Sequence, residues 1–84
     1  MNDYLLTCRS LTYAQRTQRV LSNKGFRANV QRTPAEASRE GCGFSVKLRG
    51  ANLSAALGVL KGAGLLPRRV FIIRNGALGE EISI

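Results

Sequence analysis

A two-layer α+β fold, four antiparallel strands with both helices on one face, is what this chain of 84 residues predicts. Three observations carry that prediction. Strand-like runs stand at residues 4–8, 26–32, 43–49 and 69–74. Two helix-period segments, residues 11–24 and 53–63, fall between them so that the order is β-α-β-β-α-β. Both helical segments end on a glycine followed by an apolar residue, Gly25-Phe26 and Gly64-Leu65, a weak internal echo between the two halves. Tandem strand-helix-strand units of this kind are the pattern of the ferredoxin-like split fold. The length suits one domain, residues 1–84, with a core just large enough to fold without a metal or disulfide.

Each element has its own warrant. Tyr4-Leu5-Leu6-Thr7-Cys8 is a short apolar run fit for a central, mostly buried strand. Ser10 is placed to cap the first helix, whose stripe is Leu11, Ala14, Thr17 and Leu21, with Gln15, Arg16 and Arg19 on other faces. Gly25 closes this helix, and Phe26 is expected to fold back on its last turn. The next strand alternates Phe26, Ala28, Val30 with Arg27, Asn29, Gln31, the period-two mark of one wet face. The third repeats it, with Phe44, Val46, Leu48 inward and Ser45, Lys47, Arg49 outward, so the open face of the sheet should carry Arg27, Asn29, Gln31, Lys47 and Arg49. Asn52 caps the second helix, with Leu53, Ala56, Leu57, Leu60 and Ala63 along its apolar stripe. Val70-Phe71-Ile72-Ile73 form a last β-branched strand, after which Asn75-Gly76 breaks the chain. Residues 75–84 are then either an extra strand or a flexible tail, and Glu80 to Ile84 offer a contact for a homodimer.

The net charge is +8, and all but three of the thirteen cations (Lys24, Lys47 and Lys61) are arginine. Such a surface attracts nucleic acid, acidic proteins or small oxyanions, and arginine favours bidentate oxyanion contacts. No run is long and apolar enough for a membrane span, and the first residues, Met1-Asn2-Asp3, lack a signal peptide's basic and apolar regions, so the expectation is a cytoplasmic protein with no membrane partner. The chain has no histidine and two cysteines, so neither a metal site, a cofactor nor a disulfide framework is expected.

Between the second and third strands lies the stretch from Thr33 to Gly43, too long for an ordinary hairpin. Its start, Thr33-Pro34-Ala35-Glu36, reads as a capping box, with Thr33 as cap, Pro34 at the first helical position and Glu36 at the third. Its end places Cys42 between Gly41 and Gly43. In the predicted topology this loop and the turn after the first strand share one end of the sheet, so Cys8, Arg9, Ser10 and the first helix N-terminus should lie near Cys42. Helix N–H groups, with Arg9 and Arg39, would then lower the Cys42 thiol pKa, and the flanking glycines would let the backbone pass close to an anion or a partner's sulfur. The alternative for Cys42 is a small residue filling a tight turn. Cys8, at the end of a buried strand, reads as a small hydrophobe, with a resolving thiol for Cys42 as its alternative.

The residues Tyr4-Leu5-Leu6-Thr7, Ser10-Leu11-Thr12-Tyr13-Ala14, Arg32-Thr33-Pro34, Ser38 and Cys42-Gly43, together with the second helix, resemble the selenium/sulfur carrier protein-like family over nearly the whole chain. The most telling element is a Thr-Pro, then a Ser, then a Cys-Gly before the third strand, supplied here by Thr33, Pro34, Ser38, Cys42 and Gly43. Cys8 stands where an apolar residue is more usual, so no carrier role transfers to it. The resemblance implies that Cys42 holds sulfur or selenium as a persulfide or S-selenide. It implies partners, a donor and an acceptor protein, and a carrier more than a true catalyst. Arg9, Arg39 and the amides around Gly41 to Gly43 would hold the charge of the carried atom. Nucleophilic exchange needs an accessible thiolate but no base or metal, in keeping with the composition. Two other readings compete: a basic nucleic-acid-binding domain, and a regulatory or oligomerisation module using exposed sheet edges.

Overall fold

The computed structural model describes residues 2–38 and 43–84. Strand β1 (Asn2–Thr7) is followed by helix α1 (Leu11–Asn23), strands β2 (Arg27–Arg32) and β3 (Phe44–Ala51), helix α2 (Leu53–Gly62), and strands β4 (Arg69–Arg74) and β5 (Ala77–Ile82). A single turn of 3-10 helix, Ala35–Ala37, follows β2. The strands lie in the order β2-β3-β1-β4-β5 and every neighbouring pair is antiparallel. The first four strands and two helices follow the predicted β-α-β-β-α-β order.

The sheet has five strands rather than the predicted four. Asn75 and Gly76 do more than break the chain: both have left-handed backbones, with φ of 51° and 78°, and join the paired residues Arg74 and Ala77. Two consecutive left-handed residues make the type I′ turn whose twist matches a β-hairpin, which turns the tail back along the free edge of β4. Further along the pair the register shifts between Phe71 and Ile73. A Cβ on Gly79 would stand 2.8 Å from Ile72 Cγ2 and 3.0 Å from its carbonyl oxygen, so only glycine fits this close approach. Arg69–Glu81 at 2.6 Å and Arg74–Glu80 at 2.7 Å bridge the two strands.

The helices begin and end as their sequences foretell. Ser10 Oγ accepts from Tyr13 N–H at 3.2 Å, and Asn52 Oδ1 from Ala55 N–H at 3.1 Å. At the other ends Gly25 and Gly64 have φ of 88° and 71°. Phe26 N–H then donates to Leu21 O at 3.0 Å, and Leu65 N–H to Leu60 O at 2.8 Å, the long-range bond of a Schellman motif in each case. Two stripe assignments need correction. Leu11, in the first helical turn, is 40% exposed, leaving Ala14, Thr17 and Leu21 as the buried stripe. Ala63, at the α2 C-cap, is exposed, and the apolar closure passes to Leu65.

The main core lies between helices and sheet, where Tyr4, Leu6, Val46, Leu48, Val70 and Ile72 meet Ala14, Leu21, Ala56 and Leu60. A second, smaller core occupies the opposite face. There Leu5 and Phe71, Cα partners on β1 and β4, pack with Ala37 of the 3-10 turn, flanked by Ile73 and Leu78. The predicted open face is therefore divided. Arg27, Asn29, Gln31, Lys47 and Arg49 do share it, but Ser45, expected to be wet, is buried. No helix among the described residues is long and apolar enough to cross a membrane.

Two outcomes follow. Replacing Gly79 by Val forces its side chain into Ile72 and its carbonyl, and should lower stability by about 1–3 kcal/mol in urea unfolding. Glu80 is fully exposed, and its hydrogen bond and charge attraction to Arg74 hold its carboxyl below the ordinary glutamate value. A carboxyl depressed in the folded state contributes stability above its unfolded pKa and loses it as pH falls through the folded value. In an NMR titration Arg74→Gln should move the Glu80 midpoint upward; an unmoved midpoint would show that the ion pair does not persist in solution.

Candidate functional site

The end of the sheet at which β1 stops, β2 stops, and β3 and β4 begin is where the functional candidates gather. Cys8 N–H donates to Phe44 O at 3.2 Å, just beyond the last residue of β1, and Thr33 N–H donates to Gly43 O at 2.9 Å, just beyond the ends of β2 and β3. These two bonds place Cys8, Thr33 and Gly43 at one end of the sheet, with Ser10 and the α1 N-terminus two residues from Cys8. Gly43, the first described residue after 39–42, thus stands at this end of the sheet, while Ala37, before them, packs on Leu5 and Phe71 on the face opposite the helices. Cys42 itself, with Gly41 and Arg39, lies outside the described residues.

The loop's first half departs from its predicted form. Thr33 does not cap the 3-10 turn: Pro34 precedes it and no side chain caps it. The Thr33 hydroxyl is instead hydrogen-bonded to the Ser45 hydroxyl across the β2–β3 pair. The Thr33 hydroxyl is thereby committed to the buried Ser45 rather than to the amides of the turn. The turn is short because Ala37 seats against Leu5 and Phe71, and Ser38 ends it with its N–H on Ala35 O at 3.3 Å. Pro34 and Ser38 are half-buried, and Gly43 has room for a Cβ, with Arg32 Nη1 at 4.0 Å the nearest described atom.

Beneath the turn a polar row crosses the sheet. The register pairs Gln31 with Ser45, Ser45 with Thr7, and Thr7 with Arg69. Thr7 Oγ1 accepts from Arg69 N–H at 2.9 Å and lies 3.3 Å from Arg69 O, to which it donates. The Arg69 side chain is 12% exposed, lies 4.8 Å over the Phe71 ring, and pairs with Glu81 at 2.6 Å. Sequence reasoning missed Arg69 as a site residue. The signal was present, since period two places it on the same face as Phe71 and the apolar run of β1 implies that this face is covered.

The three residues that join β1 to α1 have different surroundings. Cys8 is 4% exposed within the main core, and its thiol donates to Leu6 O at 3.7 Å. Arg9 is exposed, with its guanidinium carbon 4.9 Å from the Tyr13 ring centroid, a cation–π contact that lays it along α1. Ser10 is committed to its capping bond. Among the described residues this end of the sheet offers hydroxyls, an amide, backbone amides and an arginine–glutamate pair. That set can position a loop and accept or donate hydrogen bonds; it does not assemble a general acid–base dyad.

The family model described as "Putative Se/S carrier protein-like" matches residues 3–72. The chain belongs to this family. The match takes in β1 through most of β4, with the whole β2–β3 connection, and ends before the Asn75-Gly76 hairpin and β5. Within this Se/S carrier-like domain, the Thr-Pro, Ser and Cys-Gly positions that carried the resemblance all lie inside the matched span. No curated protein and no solved structure matches the chain.

The hydroxyl pair gives a direct test. Ser45→Ala removes the partner of a half-buried Thr33 hydroxyl and should cost about 1–2 kcal/mol, whereas adding Thr33→Val to it should recover part of that loss, because no donor is then left unmet. Chemical unfolding of the two single variants and the double variant reads the coupling.

Proposed function

We propose that this domain carries sulfur or selenium on Cys42, as a persulfide or S-selenide, between a donor and an acceptor protein. Membership of the Se/S carrier-like family over residues 3–72, a span that includes Cys42, is the observation that carries this reading. The chain's composition agrees with it, since exchange at sulfur requires a thiolate and an access path, and the chain has no histidine to serve as base or ligand. Placement of the α1 N-terminus next to Cys8, whose N–H is bonded to the strand that begins two residues after Cys42, favours an anionic group at this end.

The transfer is balanced without an external oxidant. The Cys42 thiolate attacks the outer sulfur of a donor persulfide, the donor's S–S bond breaks, and the donor leaves as a thiolate while Cys42 becomes the persulfide. An acceptor thiolate then attacks that outer sulfur and releases the Cys42 thiolate. Selenium follows the same course with an S–Se bond. In this reading Ser38, Pro34, Gly41 and Gly43 would shape the loop, and Arg39 with the local amides would hold the carried charge. Cys8, packed in the main core, acts as a structural residue rather than a resolving thiol.

Intact-mass measurement after incubation of the reduced protein with a desulfurase and cysteine, or selenocysteine, tests this. An added sulfur or selenium atom should appear, vanish in Cys42→Ser and persist in Cys8→Ala. No adduct on the wild type, or one that survives Cys42→Ser, would refute the reading.

A further inference from the structure

The face of the sheet opposite the helices carries a feature that chalcogen transfer does not use. On β2 and β3, Arg27 and Arg49 are direct Cα partners, and Lys47, two residues from Arg49, partners Asn29. Like charges directly opposite across a strand pair are destabilising, and the ion pairs among the described residues belong to Arg69 and Arg74 on the far side of the sheet. Arg27 and Arg49 are exposed and Lys47 is half-buried. Alternate residues of a strand stand roughly 7 Å apart on one face, so Lys47 and Arg49 are spaced like successive phosphates of an extended single strand. Beside them opens a cleft lined by Leu5, Gln31, Pro34, Lys47, Ile73 and Leu78. Its aliphatic walls lie between the 3-10 turn and the β4–β5 hairpin, and Gln31 and Lys47 belong to both cleft and cationic strip.

We propose that this face binds single-stranded RNA. The phosphates run along Arg27, Arg49 and Lys47, and a base enters the cleft against Pro34 and Leu78. The amides of Asn29 and Gln31 each supply donors and an acceptor for the edge of a base. Aliphatic walls without an exposed aromatic favour shallow insertion over extended stacking, so the affinity comes mainly from phosphates and is strongly salt-dependent.

Fluorescence anisotropy of the full chain with a short labelled oligouridine, across a series of salt concentrations, tests the proposal. The triple variant Arg27→Gln/Lys47→Gln/Arg49→Gln should bind roughly tenfold or more weakly, and the slope of log affinity against log salt should shrink by about 2, since each lost single-strand phosphate contact removes about 0.7. Arg16→Gln/Arg19→Gln/Lys24→Gln removes the same charge from exposed positions on or next to α1 and should leave that slope in place. Equal loss in both triples would assign binding to net charge and overturn the site, as would the absence of oligouridine binding. Polyglutamate or inorganic polyphosphate displacing the probe as well as unlabelled oligouridine would also overturn it, the first in favour of an acidic protein partner. Cys42→Ser should bind RNA like the wild type, which separates this surface from the carrier reading.

Discussion

β1 is the constraint on which the rest of the molecule depends. It is the central strand, hydrogen-bonded to β3 on one side and β4 on the other, and it is covered on both faces. Tyr4 and Leu6 feed the core beneath the helices, while Leu5 feeds the smaller core beneath the 3-10 turn. Because side chains alternate with a period of two, a slip of one residue would exchange these sets and drive Leu6 out of the larger core. The register of β1 therefore determines which neighbours lie opposite Thr7, and through them the polar row at the end of the sheet.

That row gives the long β2–β3 connection a defined foundation. Thr33, Ser45 and Thr7 satisfy one another or the β4 backbone, so their buried hydroxyls cost little, and Ala37 of the turn packs with Leu5 and Phe71. The turn is anchored by burial of one small residue and one hydroxyl pair.

Much of this was legible in the residues. Ser10 and Asn52 announced the helix starts, and the glycine–apolar pairs Gly25-Phe26 and Gly64-Leu65 announced their ends, because capping is a local matter settled by a few neighbouring groups. The family was also legible, through the pattern of Thr33, Pro34, Ser38, Cys42 and Gly43 within the matched span. Less legible was β5. Ala77–Ile82 alternates poorly, and its pairing rests on the Asn75-Gly76 backbone and on Gly79 admitting Ile72, features that show their effect only beside a partner strand. Ser45 was hidden for a related reason: it read as a wet position on an alternating strand, and its burial depends on what packs over that face.

By itself, then, the sequence determined the order of the first six elements, their caps, the helix-facing halves of the strands and the residue to watch in the long connection. These follow from periodicity and from interactions spanning only a few residues. Tertiary structure decided what else lies on the sheet's other face beside the cations that alternation had placed there: an apolar seat for the turn at Leu5 and Phe71, a polar row from Ser45 to Arg69, and a cleft. Those assignments depend on the register of five strands and on where a loop comes to rest, and they are set by packing between residues far apart in the chain.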